Sequence, residues 1–168
     1  MWYVIQTVTG REKTVKTLIE NMVPAGLYED IKIVYTERKK RYYGNWHLEK
    51  RPMFPGYLFI ISDDVEELFL YLKKIPEMTK ILGTGKELVP ISESEEALIK
   101  RLSGDTGEVT MSYGIQEGDR VKVLEGSLAG LEYLITKVDR HKRKAYMEVE
   151  LLGQKRTIEV GLEIVKKV

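Results

Sequence analysis

From residue 117 to its end the chain shows no helical period, and that constrains its fold more than any other feature. Short β-type runs near 120–124, 132–139, 144–152 and 154–160 alternate with turns marked by Gly126, Gly130 and Gly153. Four such strands in just over 50 residues suit only a small barrel, and a domain of that size is marginal in the core it can bury. One turn carries Arg140, His141, Lys142, Arg143 and Lys144 in succession, a pattern that suggests contact with a phosphate backbone.

The residues before this region read differently. A strand-like Met1-Trp-Tyr-Val-Ile-Gln-Thr-Val8 precedes Thr9-Gly-Arg-Glu12, which has the spacing of a capping box. Val15, Leu18, Ile19, Met22 and Val23 then recur at helical intervals until Pro24 and Gly26. Strands are expected at residues 31–36 and at residues 57–61, the latter an apolar run suited to mid-sheet. Asp63 and Glu66 have cap spacing ahead of a second stripe, Val65, Leu68, Phe69 and Leu72, closed by Pro76. A short strand near residues 79–82, a Gly83–Gly85 turn and a third helix near residues 92–102, with Ala97, Leu98 and Leu102 inward, complete the series. This order predicts an α+β fold, a ferredoxin-like sandwich over residues 1–102. Residues 103–114, with three glycines and no period, read as a flexible linker, and residues 115–168 as the small β domain.

Composition excludes several classes. There is no cysteine, so disulfides, thiolate metal sites and cysteine nucleophiles are ruled out together. His47 and His141 both lie in basic segments, where they are poor metal ligands and isolated bases. Neither a nucleophile with an adjacent base nor the context of a phosphate loop is present, so no enzyme, cofactor or metal is expected. Lacking a leader-like segment and any membrane-length apolar run, the chain reads as a cytoplasmic monomer. Residues 115–168 hold 11 Lys and Arg against 9 Asp and Glu, and residues 1–114 hold 16 against 17. Any contact with nucleic acid is therefore local rather than a global field.

The order of motifs resembles the NusG family of transcription elongation factors, over nearly the whole chain. Trp2-Tyr-Val-Ile resembles the family's first strand, and Arg51-Pro-Met-Phe-Pro-Gly-Tyr-Leu-Phe59 its (K/R)xxFPGYxF signature. Ile75-Pro-Glu-Met78 before Leu82-Gly83 is similar to the pattern that follows it, with Met78 in place of the usual Val. Gly118-Asp-x-Val and the Gly126 to Gly130 turn are like a KOW motif. The resemblance implies an NGN domain on the α+β sandwich, a linker, and an SH3-like KOW barrel. It also implies that the NGN domain binds the clamp helices of RNA polymerase, with Trp2, Phe54, Pro55, Tyr57 and Pro76 facing it. Aromatics that cap an apolar groove supply much of an interface's energy. The competing reading puts Phe54 and Tyr57 in the core at the start of a buried strand.

Departures from the family pattern point to a subgroup. General members carry aromatic residues and an Ile-Phe-Gly-Arg sequence in the KOW pocket; here the turn reads Ser127-Leu-Ala-Gly-Leu131 and the later sequence Leu151-Leu-Gly-Gln154. The basic turn Arg140–Lys144, with Lys155 and Arg156 on a later turn, resembles the LoaP antiterminators, whose KOW domain recognises an RNA hairpin. That makes structured leader RNA the expected partner; a basic β-turn enters RNA where a bulge widens the deep groove. The competing reading is a solvated hairpin. A second basic segment, residues 38–51, interleaves Arg38, Lys39, Lys40, Arg41, Lys50 and Arg51 with Tyr42, Tyr43 and Trp46, and Gly44-Asn45 marks a turn. Arg38, Lys39, Arg41, Tyr43 and Trp46, with Arg11 and Lys13, are candidates for nontemplate DNA, since any base face stacks on an aromatic ring. A tip touching only polymerase is the alternative there. For the whole chain, the other readings are a general elongation factor linking polymerase to Rho or the ribosome, and a ribosome-associated KOW protein. The absence of a helical period after Gly118 argues against a C-terminal domain that switches into helices.

Overall fold

Two adjacent buried residues, Ile33 and Val34, interrupt what the sequence presents as one strand. Neither lies in a strand: the chain leaves one sheet after Lys32 and enters another at Tyr35. The computed structural model, which describes residues 1–77 and 88–168, shows this. In chain order the strands are β1 (Trp2–Gln6), β2 (Asp30–Lys32), β3 (Tyr35–Tyr42), β4 (Asn45–Pro52), β5 (Tyr57–Ile61) and β6 (Val89–Pro90). They continue with β7 (Glu108–Val109), β8 (Ser112–Glu117), β9 (Arg120–Glu125), β10 (Ile135–Asp139), β11 (Lys144–Leu151) and β12 (Gln154–Lys167). The helices described by their full range are α1 (Glu12–Met22), α2 (Val65–Leu72) and α3 (Glu93–Ser103). The expected strand at 79–82 and the Gly83–Gly85 turn lie outside the described residues.

The chain forms two compact units: Met1–Ile33 with Phe54–Glu96, and Val34–Met53 with Ala97–Val168. In the first, the sheet order is β2-β5-β1-β6 with every neighbour antiparallel, the split βαβ arrangement of a mixed α+β sandwich. The apolar run of β5 lies mid-sheet, as its sequence predicts, with Leu58, Phe59 and Ile60 fully buried beside Ile5 of β1. Val15 and Ile19 of α1 and Leu68 and Leu72 of α2 are also fully buried. The Thr9–Glu12 capping box is not made. Arg11 holds the N-cap position without a side-chain bond, and the Glu12 carboxylate accepts the Gly10 amide instead. At α2, Asp63 does not cap either: the N-cap is Asp64, whose N–H donates to Ser62 Oγ at 2.9 Å. A reciprocal box does form before α3, where Glu95 N–H donates to Ser92 Oγ at 3.2 Å and Ser92 N–H to the Glu95 carboxylate at 2.9 Å.

In the second unit, β3 and β4 form a long hairpin. Tyr42 faces Asn45, and Tyr43 and Gly44 take φ of 51° and 77°, a two-residue turn of the kind whose twist suits a hairpin. Residues 103–114, expected as a linker, instead carry β7 and the start of β8. The reason is burial: Val109, Met111 and Ser112 are buried, Thr110 N–H donates to Ser127 Oγ at 2.8 Å, and Leu128 N–H to Ser112 Oγ at 2.9 Å. β7 pairs in parallel with β3 in a sheet of order β4-β3-β7. A five-stranded sheet runs β10-β11-β12-β8-β9. Ala145, Met147, Val149 and Leu151 alternate inward along β11 against Ile158, Val160 and Leu162 of β12. Gly161 of β12 has no room for a side chain, because a Cβ there would sit 2.6 Å from the Glu37 carbonyl oxygen of β3. That close approach brings β3 onto β12.

Candidate nucleic-acid interface

The approach of β3 to β12 is fastened by charge. Arg38 Nη1 donates to Glu159 Oε2 at 2.7 Å and Lys144 Nζ to Glu159 Oε1 at 2.7 Å. One residue along, Lys39 Nζ donates to Glu163 Oε2 at 3.0 Å, and Arg143 Nη1 lies 2.9 Å from Glu163 Oε1. The Arg143 guanidinium also covers the Trp46 ring, 4.0 Å from its centroid. The hydrogen bond from Lys144, supported by Arg38, holds the Glu159 carboxyl below its ordinary range. Burial works against the Lys144 charge but is outweighed by Glu159, so the Lys144 ammonium titrates above its ordinary value.

This network divides the basic turn that the sequence presents as a single run. Lys144 is not on the turn: it opens β11 opposite Asp139 and is only 7% exposed. Arg143, at φ 53°, is half-buried between Glu163 and Trp46. Arg140, His141 and Lys142 are exposed and none of them forms an ion pair among the described residues. Their turn is pinned by Lys142 N–H donating to Asp139 Oδ1 at 3.0 Å, and that bond, ahead of the neighbouring lysine charges, lowers the Asp139 pKa. Lys155 and Arg156 are not part of this cluster. They pair with Glu150 and Val149, whereas Lys144 pairs with Gly161. That separation is about 20 Å along the strand.

The hairpin contributes the other side. A cleft of about 500 Å³ is lined by Lys40, Arg41 and Trp46 from β3–β4 and by His141 and Lys142 from the β10–β11 turn. Of the residues the sequence proposes for nontemplate DNA, Arg38 and Lys39 are spent in ion pairs, and Trp46 has one face covered. Tyr43, at the hairpin tip, is 96% exposed. Arg11 pairs with Glu77 in the first unit, and Lys13 is exposed on α1.

The residues proposed to face polymerase separate by exposure. Trp2, Phe54 and Tyr57 are buried, and only Pro55 and Pro76 are exposed. Phe54 packs edge-on against Phe59 at 5.8 Å, Trp2 tilts against the same ring at 6.0 Å, and Gln6 Nε2 donates to Tyr57 Oη at 2.8 Å. Their burial has a local cause. Gly56 takes φ of 83° and its carbonyl accepts the Thr7 N–H at 2.7 Å, which ties the Phe-Pro-Gly-Tyr turn to the end of β1 and places its rings in the core. Sequence reasoning passed over Glu159 and Glu163. Their signal was spacing: positions 159, 161 and 163 share one face of a strand, and a glycine flanked there by two carboxylates marks where a basic strand can dock.

Comparison with known proteins places this arrangement in context. The family model described as transcription termination factor nusG matches residues 1–100. The transcription termination/antitermination protein NusG of Campylobacter jejuni is 27% identical over 171 residues, covering 99% of this chain and 97% of that protein. The protein of the same name from Thermus thermophilus is 28% identical over 179 residues, with 99% and 97% covered. A solved structure described as domain interaction in Thermotoga maritima NusG shares the fold at a TM-score of 0.55 and 23% identity, covering 95% of this chain and 92% of that one.

Proposed function

Because the chain belongs to the NusG family of transcription termination and antitermination factors, which are not enzymes, we propose that it is a specialised, RNA-directed antiterminator. Residues 1–102 act as the NGN domain on the clamp helices of RNA polymerase, and residues 115–168 as a KOW domain that captures a structured leader RNA. Capture of the transcript raises the local concentration of the first domain at polymerase, so that a weak contact suffices at chosen operons. The observation that carries this reading is the turn with Arg140, His141 and Lys142 exposed, without ion pairs among the described residues, and held by Asp139. Its arginine can fork to a guanine edge while its lysine meets phosphate.

Arg140→Ala/Lys142→Ala in the full chain tests it. Each side chain contributes about 1 kcal/mol or more to binding, so the Kd for the leader hairpin rises about 30-fold or more, while polymerase binding is retained. Arg143 is left in place because it braces Trp46 and Glu163. If the native chain binds leader hairpins no better than random RNA at physiological salt, the specialised reading fails. The second reading is a general elongation factor coupling polymerase to Rho or the ribosome, and it is favoured by similarity along the full length to NusG proteins. For polymerase, the exposed Pro55 and Pro76 offer the contact while Trp2, Phe54 and Tyr57 shape the surface from beneath.

A further inference from the structure

We propose that the RNA site is composite: Lys40 and Arg41 of the β3–β4 hairpin grip the backbone of the same RNA that the Arg140–Lys142 turn reads. This rests on the RNA-directed reading above and adds to it a second wall with a different task. Three observations carry it. First, both walls line one cleft of about 500 Å³. Second, their spacing is fixed before any ligand arrives, because Glu159 ties Arg38 to Lys144 and Glu163 ties Lys39 to Arg143. A preformed pair of walls avoids the ordering cost that weakens binding by loose loops. Third, the cations divide by position. Those joining the strands are neutralised by Glu159 and Glu163, whereas Lys40, Arg41 and Lys142 are exposed and form no ion pair among the described residues.

The chemistry of the cleft points to backbone contact on the hairpin side. The aromatic ring in the cleft, Trp46, is covered by the Arg143 guanidinium, so that face does not stack a base. Lysine and arginine without an aromatic partner grip phosphate, an interaction that strengthens binding without reading sequence. The two walls thus differ in what their removal does. Without the hairpin cations every RNA binds more weakly alike; without the turn cations the preference for the cognate hairpin disappears.

The test is anisotropy titration of the full chain against a fluorescein-labelled RNA stem-loop with a two-nucleotide bulge, repeated over a series of salt concentrations. An unbulged stem-loop and a single-stranded DNA of the same length serve as comparisons. For Lys40→Ala/Arg41→Ala, binding to both stem-loops is expected to weaken about tenfold or more. The slope of log K against log salt should fall by about two, one for each phosphate no longer gripped, with the preference for the bulged RNA intact. If Arg140→Ala/Lys142→Ala abolishes that preference but Lys40→Ala/Arg41→Ala leaves affinity and slope unchanged, the composite site is overturned and the RNA-directed reading stands. If neither double variant alters RNA binding, both fall. If the hairpin variant weakens only the single-stranded DNA, the hairpin is a DNA surface and the composite site is again overturned. Both pairs are exposed, so thermal melts matching the native chain separate these outcomes from misfolding.

Discussion

Replacing Glu159 by Gln removes the charge that fastens β3 to β12 while keeping the shape of the side chain. The carboxylate accepts from Arg38 and Lys144, each at 2.7 Å, and these side chains are 17% and 9% exposed against 37% for Glu159. Breaking a fully buried pair costs about 3–5 kcal/mol, whereas an exposed pair contributes less than about 1 kcal/mol. Here the cations are mostly buried and the acid about one-third exposed, so the cost is set between the two, at about 2 kcal/mol. That corresponds to about 30-fold easier local opening. Hydrogen exchange followed by peptide mass spectrometry reads it directly: amides of β3 and β11 exchange about 30-fold faster, while those of β1 and β5 in the first unit keep their rate. Lys144→Met supplies the contrast. It removes a buried cation and leaves Glu159 paired with Arg38, so its cost is below about 1 kcal/mol. If Lys144→Met accelerates exchange as much as Glu159→Gln, or if β1 and β5 accelerate equally, the reasoning that an unpaired buried cation sets the cost is wrong.

The same network has a defined pH window. Glu159 is lowered from 4.5, so its contribution is present above that value and lost as pH falls through the lowered one; Lys39 and Lys144 are raised from 10.5, so theirs is present below that value and lost as pH rises through the raised one. Stability to urea should therefore fall on the acid side below about pH 4.5 and on the alkaline side above about pH 10.5 in the native chain, and Glu159→Gln should remove the acid-side loss; an unchanged acid-side loss in that variant would contradict the assignment. Gly161→Ala sets a Cβ 2.6 Å from the Glu37 carbonyl, which cannot move aside as the Met111 sulfur can. It should cost about 1–3 kcal/mol in urea unfolding, and unaltered stability would mean the strands do not approach so closely. Tyr43→Asn places an Asn-Gly pair in a turn where both residues have positive φ, and should raise the stability of the hairpin by up to about 1 kcal/mol. A lower melting temperature would refute the turn assignment.

Where one local signal sufficed, the fold was legible in the sequence. The β5 run, the α1 stripe and the hairpin turn depend on residues adjacent in the chain; the first two lie where the pattern puts them, and the turn falls one residue earlier, at Tyr43-Gly44 rather than Gly44-Asn45. Capping was less reliable. Thr9–Glu12 and Ser92–Glu95 have the same spacing, yet only the second forms a box, because Gly10 at φ 96° turns the chain away before α1 begins. Composition misled most at residues 103–114. Three glycines suggested a linker, but Val109 and Met111 provided buried apolar positions and Ser112 bonded to a turn distant in sequence. A partner that lies far along the chain leaves no local mark.

The candidate site shows the same limit in charge. Counted by segment, residues 115–168 are barely basic, because each acid is set against each cation as if all shared one surface. Glu159 and Glu163 do not cancel the Arg140–Lys142 turn; they are engaged with Arg38, Lys39, Arg143 and Lys144. Their charge is used where the strands meet, and Arg140 and Lys142 at the rim of the cleft form no ion pair among the described residues. Of the run Arg140–Lys144, the first three members are exposed and the last two are engaged with Glu163, Trp46 and Glu159. A screen that mutates all five residues of that run at once would therefore confound weakened binding with disruption of the strand packing that shapes the cleft.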